Sequence, residues 1–442
     1  MRNVPRLASL LAVLPALVLA LGAQLSWPLV AEWHGDLGVY AGYADQVMQG
    51  QVPYRDFTLE YPPLALVPFV LPRLAVAGAA LDEAQFRALF LLQSALFVWV
   101  ITLVSQQLVP VERRGQMTLV LALFVAVLSP FLAWRFDLFP AMLTGLALLA
   151  ATRNRWSAAG FWLGLGIAAK LYPVVVGPVL VLGAFVAANA APRLQRVVPA
   201  WFSAGAARTW RLCLGAAATL AVIVLPFYLI APEGLLGFLG YHQQRGIQIE
   251  SVAGGIVSLA ALVGLTDARS EFNYGALHLV SPWADALLPW LFPLLAVLYT
   301  LLLAIGIWRV ARVHTLSTQM PCDTAWLGAM VCAALFVFVV SNKVFSPQYL
   351  VWLLPFLPLL RWAQIVLAAL ICVATVAIFP FGYAALIAAE PWAIVLLNAR
   401  NLATLSLLLW LAAGLMHAVP QRYARNALTD AGLFEQTSAY DH

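Results

Sequence analysis

The sequence predicts an all-α polytopic membrane protein of about 12 transmembrane helices, from its composition, the length of its apolar runs and the placement of its arginines. Of 442 residues, 63% are hydrophobic and 10% charged, and the mean hydropathy is +0.90; a soluble globular chain is about half apolar and about a quarter charged. Such a chain cannot cover its apolar surface in water. In lipid the backbone must satisfy its own polar groups, which leaves helices or closed barrels. The runs are long and rich in Leu, Ala and Val, without the short alternating segments of a barrel. The net charge of +5 needs no nucleic-acid partner, because arginines gathered in short loops are what the positive-inside rule gives cytoplasmic loops.

The first span covers about 7–29. The basic start, Met1 to Arg6, has the look of a signal peptide, but the apolar run exceeds the usual h-region of about 7–15 residues. Ala20-Leu21-Gly22 is a weak cleavage signal, so the run reads as a retained helix. The stretch 62–80 carries Pro62, Pro63, Pro68 and Pro72, too many for a regular spanning helix. It is expected to lie at the interface. Further spans are expected at 86–109, 117–133, 137–152, 156–170, 172–190, 211–230, 284–308, 324–341, 348–360, 362–384 and 396–418, the apolar run 156–190 being split at Lys170 and Pro173. Arg2 and Arg6, Arg113 and Arg114, Arg153 and Arg155, Arg193 to Arg211, Arg309 and Arg312, Arg361, and Arg422 and Arg425 then fall on one side, with both termini cytoplasmic. The organisation is a single transmembrane domain over 1–420 and a polar cytoplasmic tail, 421–442. Its outward loops are 31–80, including the interfacial element, and 231–283. Cys213, Cys322, Cys332 and Cys372 are far apart, without CxxC spacing, and read as small core residues.

The outward loops hold most of the carboxylates: Glu32, Asp36, Asp45, Asp56 and Glu60 in the first, and Glu233, Glu250, Asp267, Glu271 and Asp285 in or beside the second. Asp36 is a candidate for chemistry or simply a helix cap. In the second loop, His242, Arg245, Gln248 and Glu250 are grouped; Arg245 either binds an anion or pairs with Glu250. Lys170 and Lys343 lie beside or inside apolar runs, where an ammonium must snorkel, pair or bind a ligand. Arg135 and Asp137 are expected to pair with each other. There is no Walker loop, GxGxxG fingerprint, HExxH or GxSxG. An activated substrate for an outward-facing enzyme would therefore arrive through the membrane as a lipid.

Several blocks resemble a known family. Gly35-Asp36-Leu37-x-x-Tyr40, Pro53-Tyr54-Arg55-Asp56-Phe57 and Glu60-Tyr61-Pro62-Pro63-Leu64 resemble the start of bacterial glycosyltransferase family 87 proteins, members of the GT-C superfamily of polyprenyl-phosphate-sugar-dependent enzymes. Arg135-Phe136-Asp137, Lys170-Leu171-Tyr172-Pro173, Arg245 to Ser251 and Lys343 to Tyr349 look like further blocks of that family, so the resemblance spans about 36–350. Glu60-Tyr61-Pro62-Pro63 is also similar to the Glu-Lys-Pro-Pro of lipid A aminoarabinose transferases, with Tyr61 in place of the lysine.

The resemblance implies a GT-C-like fold with interfacial helices in the first outward loop. It also implies transfer of a hexose, with mannose favoured, from a polyprenyl-phosphate donor to an extracytoplasmic glycolipid or glycan acceptor, inverting at the anomeric carbon. Asp36 would be the base; Lys343, Arg245 and Lys170 would hold the donor phosphate; Glu60, Tyr61, Tyr40, His242, Gln248, Glu250 and Gln348 would bind sugar or acceptor. The location implied is the inner (plasma) membrane, with the site on its extracytoplasmic face. No cofactor is implied. Divalent metal dependence stays open, since the loop carboxylates have no recognisable ligand spacing. The rival readings are a lipid or solute transporter without transferase activity and an envelope scaffold. Against the transporter stand the long polar outward loops, because a transport site belongs near the bilayer midplane.

Overall fold

A computed structural model describes residues 11–33, 35–76, 82–187, 200–316 and 324–417. Arg2, Arg6, Arg193, Cys322 and the tail 421–442 with Arg422 and Arg425 lie outside the described residues. The chain is a polytopic helical membrane protein. Among the described residues, eight helices are long and apolar enough to cross a bilayer, and five shorter apolar helical segments accompany them.

In chain order, α1 (Leu14–Val30) is followed by a 3₁₀ turn and α2 (Asp36–Met48). The proline-broken stretch gives a 3₁₀ turn, Pro63–Ala65, and α3 (Leu66–Leu74), whose nine residues are too few to cross. Next come α4 (Glu83–Leu108), α5 (Arg114–Leu132), α6 (Leu138–Thr152), α7 (Trp156–Ala169) and α8 (Gly177–Ala187). The start of α4 is set by a capping box: Gln85 N donates to Asp82 Oδ1 at 2.8 Å, and Asp82 N donates to Gln85 Oε1 at 3.1 Å. The apolar run 156–190 breaks at the expected place. Lys170 adopts extended backbone, and Pro173 starts a 3₁₀ turn, Tyr172–Val176.

After α9 (Ala200–Ile230), the stretch 231–283 is structured. It contains α10 (Pro232–Gln244), α11 (Val252–Leu262) and a β-hairpin of β1 (Arg269–Asn273) and β2 (Ala276–Val280). The hairpin adds two short strands to a fold expected to be all helical. Its turn is Tyr274-Gly275, both with positive φ, the geometry that a two-residue hairpin loop needs. The chain finishes with α12 (Pro282–Leu316), α13 (Thr324–Ser341), α14 (Trp362–Val376), α15 (Tyr383–Ile387) and α16 (Pro391–His417).

One expected span is corrected. Residues 348–360 form no α-helix but two 3₁₀ turns, Pro347–Leu353 and Leu357–Leu359. Pro347, Pro355 and Pro358 each remove a backbone donor, and a continuous helix is lost. The segment is enclosed by protein: Leu350 to Leu354 and Phe356 to Leu360 are buried. Ser105 Oγ on α4 donates to the Pro355 carbonyl at 3.2 Å. Irregular backbone among apolar elements is tolerated where protein rather than lipid surrounds it.

Helices α7 and α9 approach with almost nothing between their backbones. A Cβ on Gly160 would sit 2.1 Å from the Leu212 carbonyl oxygen, and one on Gly215 would sit 2.5 Å from that of Ser157. Small residues supply this contact because lipid gives no hydrophobic drive between helices, leaving close packing to hold them. Gly160→Ala should therefore lower stability by about 1–3 kcal/mol. Thermal unfolding in detergent checks this against Gly115→Ala, where a Cβ meets nothing within 4 Å.

Candidate functional site

The first loop presents Asp36 at the first position of α2, directly after Gly35. A carboxylate there meets unpaired helix N–H groups and the positive end of the helix dipole. Its ion-pair partner is Arg135, from the turn between α5 and α6; the Asp36 side chain stays 35% exposed and that of Arg135 only 10%. The pairing differs from the expected one. Arg135 goes to Asp36, and Asp137 pairs with Lys170 instead. The two acidic and two basic side chains sort this way because Lys170, at the end of α7, reaches the fully buried Asp137 at 2.6 Å. Trp352 Nε1 donates to the same oxygen, Asp137 Oδ1, at 2.6 Å, while Asp137 Oδ2 has no partner. Lys170 Nζ also lies 4.7 Å from the centre of the Phe136 ring. Tyr172 and Tyr349 each stack on Trp352, at 3.9 and 4.1 Å.

The remaining first-loop candidates are built into packing. Tyr40 is buried and stacks on Phe69 at 4.3 Å, and Tyr61 meets Phe136 edge-on at 5.0 Å. Tyr54 Oη donates to the Tyr61 carbonyl at 2.5 Å. Asp56 closes its own turn, accepting from Val52 N at 2.7 Å and pairing with Arg55 at 2.8 Å. The Arg55 guanidinium and that backbone N–H lower its carboxyl to about 2, which keeps it ionised and makes it a weak base. The second loop rests on the first. A Cβ on Gly234 of α10 would meet the Tyr54 carbonyl oxygen at 1.9 Å, so this contact needs a glycine. His242, at the other end of α10, bonds the Glu60 carbonyl through Nε2 at 3.1 Å. Burial, followed by the charge of Arg245, lowers its imidazole to about 4 and keeps it neutral.

Lys343 holds the next segment. Its ammonium donates to the carbonyls of Gln243 at 2.8 Å and Arg245 at 2.6 Å. Gln248 N donates to the Lys343 carbonyl at 2.8 Å, and Phe345 N donates to Gln248 Oε1 at 2.9 Å. Arg245 does not pair with Glu250; its Nη2 donates to the Tyr274 carbonyl at the hairpin turn at 2.5 Å, and its Nε is buried without a partner. Residues 247–249 run beside β2 through one antiparallel bridge, Gln248 to His278, with Ile249 N donating to Leu277 O at 3.0 Å and Leu279 N to Ile247 O at 2.8 Å. Gln348 turns back on its own segment, accepting from Ser346 Oγ at 2.7 Å.

This zipper delivers Glu250, which is 2% exposed. Gln248 Nε2 donates to Glu250 Oε2 at 2.9 Å. Burial raises the Glu250 carboxyl to about 7, against the downward pull of the Arg400 and Arg135 charges. Asp36, Arg135, Glu250 and Arg400 thus form one connected polar cluster, reached from the first loop, the α5–α6 turn, the second loop and α16. Lys343, Arg245, Gln248, His242 and Glu60 form a second group along the zipper, and Lys170 with Asp137 a third. Arg400 is the residue that sequence reasoning missed. An arginine inside the apolar run 396–418 was the available signal, since intramembrane charge marks function or pairing by default.

Among the described residues, no group of three or more His, Cys, Asp or Glu is arranged to hold a metal ion. Neither a protein-family model nor a curated protein matches the chain. Among solved structures, it is similar to the crystal structure of ArnT from Cupriavidus metallidurans in the apo state, with 16% identity and a TM-score of 0.43 over 86% of this chain and 72% of that one.

Proposed function

We propose that the chain is a GT-C-type membrane glycosyltransferase that moves a sugar from a polyprenyl-phosphate donor to an acceptor hydroxyl. The observation that carries this reading is Asp36, a partly exposed carboxylate on the loop after the first span, paired with Arg135, whose charge also acts on Glu250. A polyprenyl phosphate leaves readily, so the reaction needs a base and fixed cations more than a strong general acid. In the step proposed, the Asp36 carboxylate takes the acceptor hydroxyl proton. The acceptor oxygen bonds to the anomeric carbon, the bond from that carbon to the phosphate oxygen breaks, and the phosphate departs with the electron pair. Attack opposite the leaving group inverts the anomeric centre.

The cations proposed for the phosphate are Arg245 and Lys343, with Lys170. Arg245 has an unpartnered Nε, and Lys343 gives two of its N–H groups to carbonyls, leaving one of an ammonium's three donors. Lys170 has its charge balanced by Asp137, so a phosphate there would share that ammonium. Glu60, Gln248 and Glu250 are proposed to accept or donate to sugar hydroxyls, with His242, Tyr40, Tyr61 and Gln348 shaping the sugar and acceptor site. Also proposed are a hexose donor, mannose first, and an inner (plasma) membrane enzyme working on the extracytoplasmic face; about 12 crossings with cytoplasmic termini then require the irregular segment 347–360 to be one of them. The acceptor class is a glycolipid or glycan.

Purified chain in proteoliposomes, given radiolabelled polyprenyl-phosphate sugars and membrane glycolipid extract, should transfer label to the acceptor. Movement of unchanged donor across the bilayer, without transfer, would favour the transporter reading instead. The reaction should also lose rate on acidification. Glu250, with its carboxyl raised to about 7, is ionised above that pH and neutral below it. A sugar hydroxyl that donates to the carboxylate is left with a neutral carboxyl, a weaker acceptor, as the pH falls, so the donor KM should rise below about 7. In Glu250→Gln that limb should disappear from the KM profile.

A further inference from the structure

Helix α16 carries a polar face that the reaction above does not use. Arg400, 2% exposed, lies in a helix long and apolar enough to cross a bilayer. Its Nη2 donates to the Glu250 carbonyl at 2.7 Å, its guanidinium lies 3.8 Å over the centre of the Phe345 ring, and its Nε and Nη1 are buried without partners. Asn401 Nδ2 donates to the Ser251 carbonyl at 3.2 Å, and Asn398 Nδ2 to that of Gly255 at 3.0 Å. The face therefore grips the stretch that enters α11 from three positions. The glycines there permit the approach, since a Cβ on Gly255 would meet Asn401 Nδ2 at 2.7 Å and Asn398 Oδ1 at 2.9 Å.

Neutral asparagines already bond two of these carbonyls, so a carbonyl does not account for an arginine. A guanidinium in an apolar helix is costly unless it is paired or used, and the carboxyl that acts on it is Glu250. The groups facing Glu250 are Gln248 from its own loop, Arg135 from the α5–α6 turn, Tyr383 from α15 and Arg400 from α16. Arg135 is shared with Asp36, which leaves Arg400 as the cation given over to Glu250. We propose that Arg400 is a positioning residue: its backbone bond fixes the Glu250 loop against α16, and its charge keeps the Glu250 carboxylate available to a substrate hydroxyl. What Glu250 receives rests on the transferase reading; the tie between α16 and the loop does not.

The test uses the full chain in proteoliposomes and the protonated-carboxyl infrared band that Glu250→Gln deletes. In the unsubstituted chain that band should titrate near pH 7, the value to which burial raises Glu250. Arg400→Met should raise the midpoint by about one pH unit, because a cation near a carboxylate holds its pKa down by about that much or more. The same variant should speed amide exchange over 250–255. Arg400→Lys should restore the midpoint, whereas Asn401→Ala should speed exchange and leave the midpoint alone, separating charge from anchoring. If Arg400→Met does not fold, Arg400→Gln is compared with Arg400→Lys. Equal midpoints in the charged and neutral variants would overturn the proposal. Sugar transfer by the same samples is scored separately: an inactive unsubstituted chain removes the transferase reading, and the midpoints still decide the role of Arg400.

Discussion

Asp36→Asn should reduce sugar transfer by about 10²–10⁴-fold, the range that a positioned general base supplies, while the chain still inserts and folds. The amide keeps the shape of the side chain but cannot accept the acceptor proton. The substitution also leaves Arg135 without its counter-charge, and Arg135 is buried. Arg135 keeps the charges of Asp137 and Glu250 acting on it, and the Asp36 pair is screened by water at its 35% exposed carboxylate, so the stability cost should stay near about 1 kcal/mol. Initial rates in proteoliposomes and thermal unfolding in detergent separate the two effects. Asp36→Glu lengthens the side chain by about one carbon bond and should recover part of the ion pair but little of the rate, since attack geometry is sensitive to displacements of about 1 Å. Full activity in Asp36→Asn would remove Asp36 as the base, whatever happened to stability.

What was legible in the sequence follows from the range of the interactions involved. The long helices were readable because lipid demands runs of about 20 apolar residues, and α1, α4, α5, α13 and α14 overlap their expected positions closely. The break at Lys170 was readable because a charge and a proline act on their own neighbourhood. The segment 348–360 was misread for the converse reason. Its composition is that of a span, yet Ser105 of α4 and the surrounding buried side chains hold it as 3₁₀ turns. The hairpin in the second loop was missed since it is only two five-residue strands, completed by pairing with 247–249.

The site divides in the same way. Asp36, Lys343 and Glu250 stand out by residue type and loop position. Their partners do not, because those lie far along the chain: Arg135 for Asp36, Arg245 and Gln243 for Lys343, Arg400 for Glu250. Sequence proximity suggested Arg135 with Asp137, two positions apart. Both lie in the turn before α6, and the folded chain gives each a distant partner.

That exchange of partners sets up the second large effect. Asp137→Asn and Lys170→Met should each destabilise the protein by about 3–5 kcal/mol, since removing one member of a buried ion pair strands the other charge. Asp137 is 0% exposed and Lys170's side chain 17%, so little solvent is available to take up the loss. Asp137 also has Trp352 to answer to, and the Asn substitution can leave that indole N–H with an acceptor while failing to balance the ammonium. The paired variant Asp137→Leu with Lys170→Met removes both charges and should recover much of the stability, because replacing a whole buried pair with apolar groups is often neutral. Thermal unfolding in detergent reads these differences. Transfer kinetics on the same proteins then separate the two uses of Lys170. If it serves only Asp137, the paired variant regains activity along with stability; if it also holds the donor phosphate, stability returns while the donor KM stays raised. Stability unchanged in either single variant would show that the pair is open to water, and would withdraw the argument from burial.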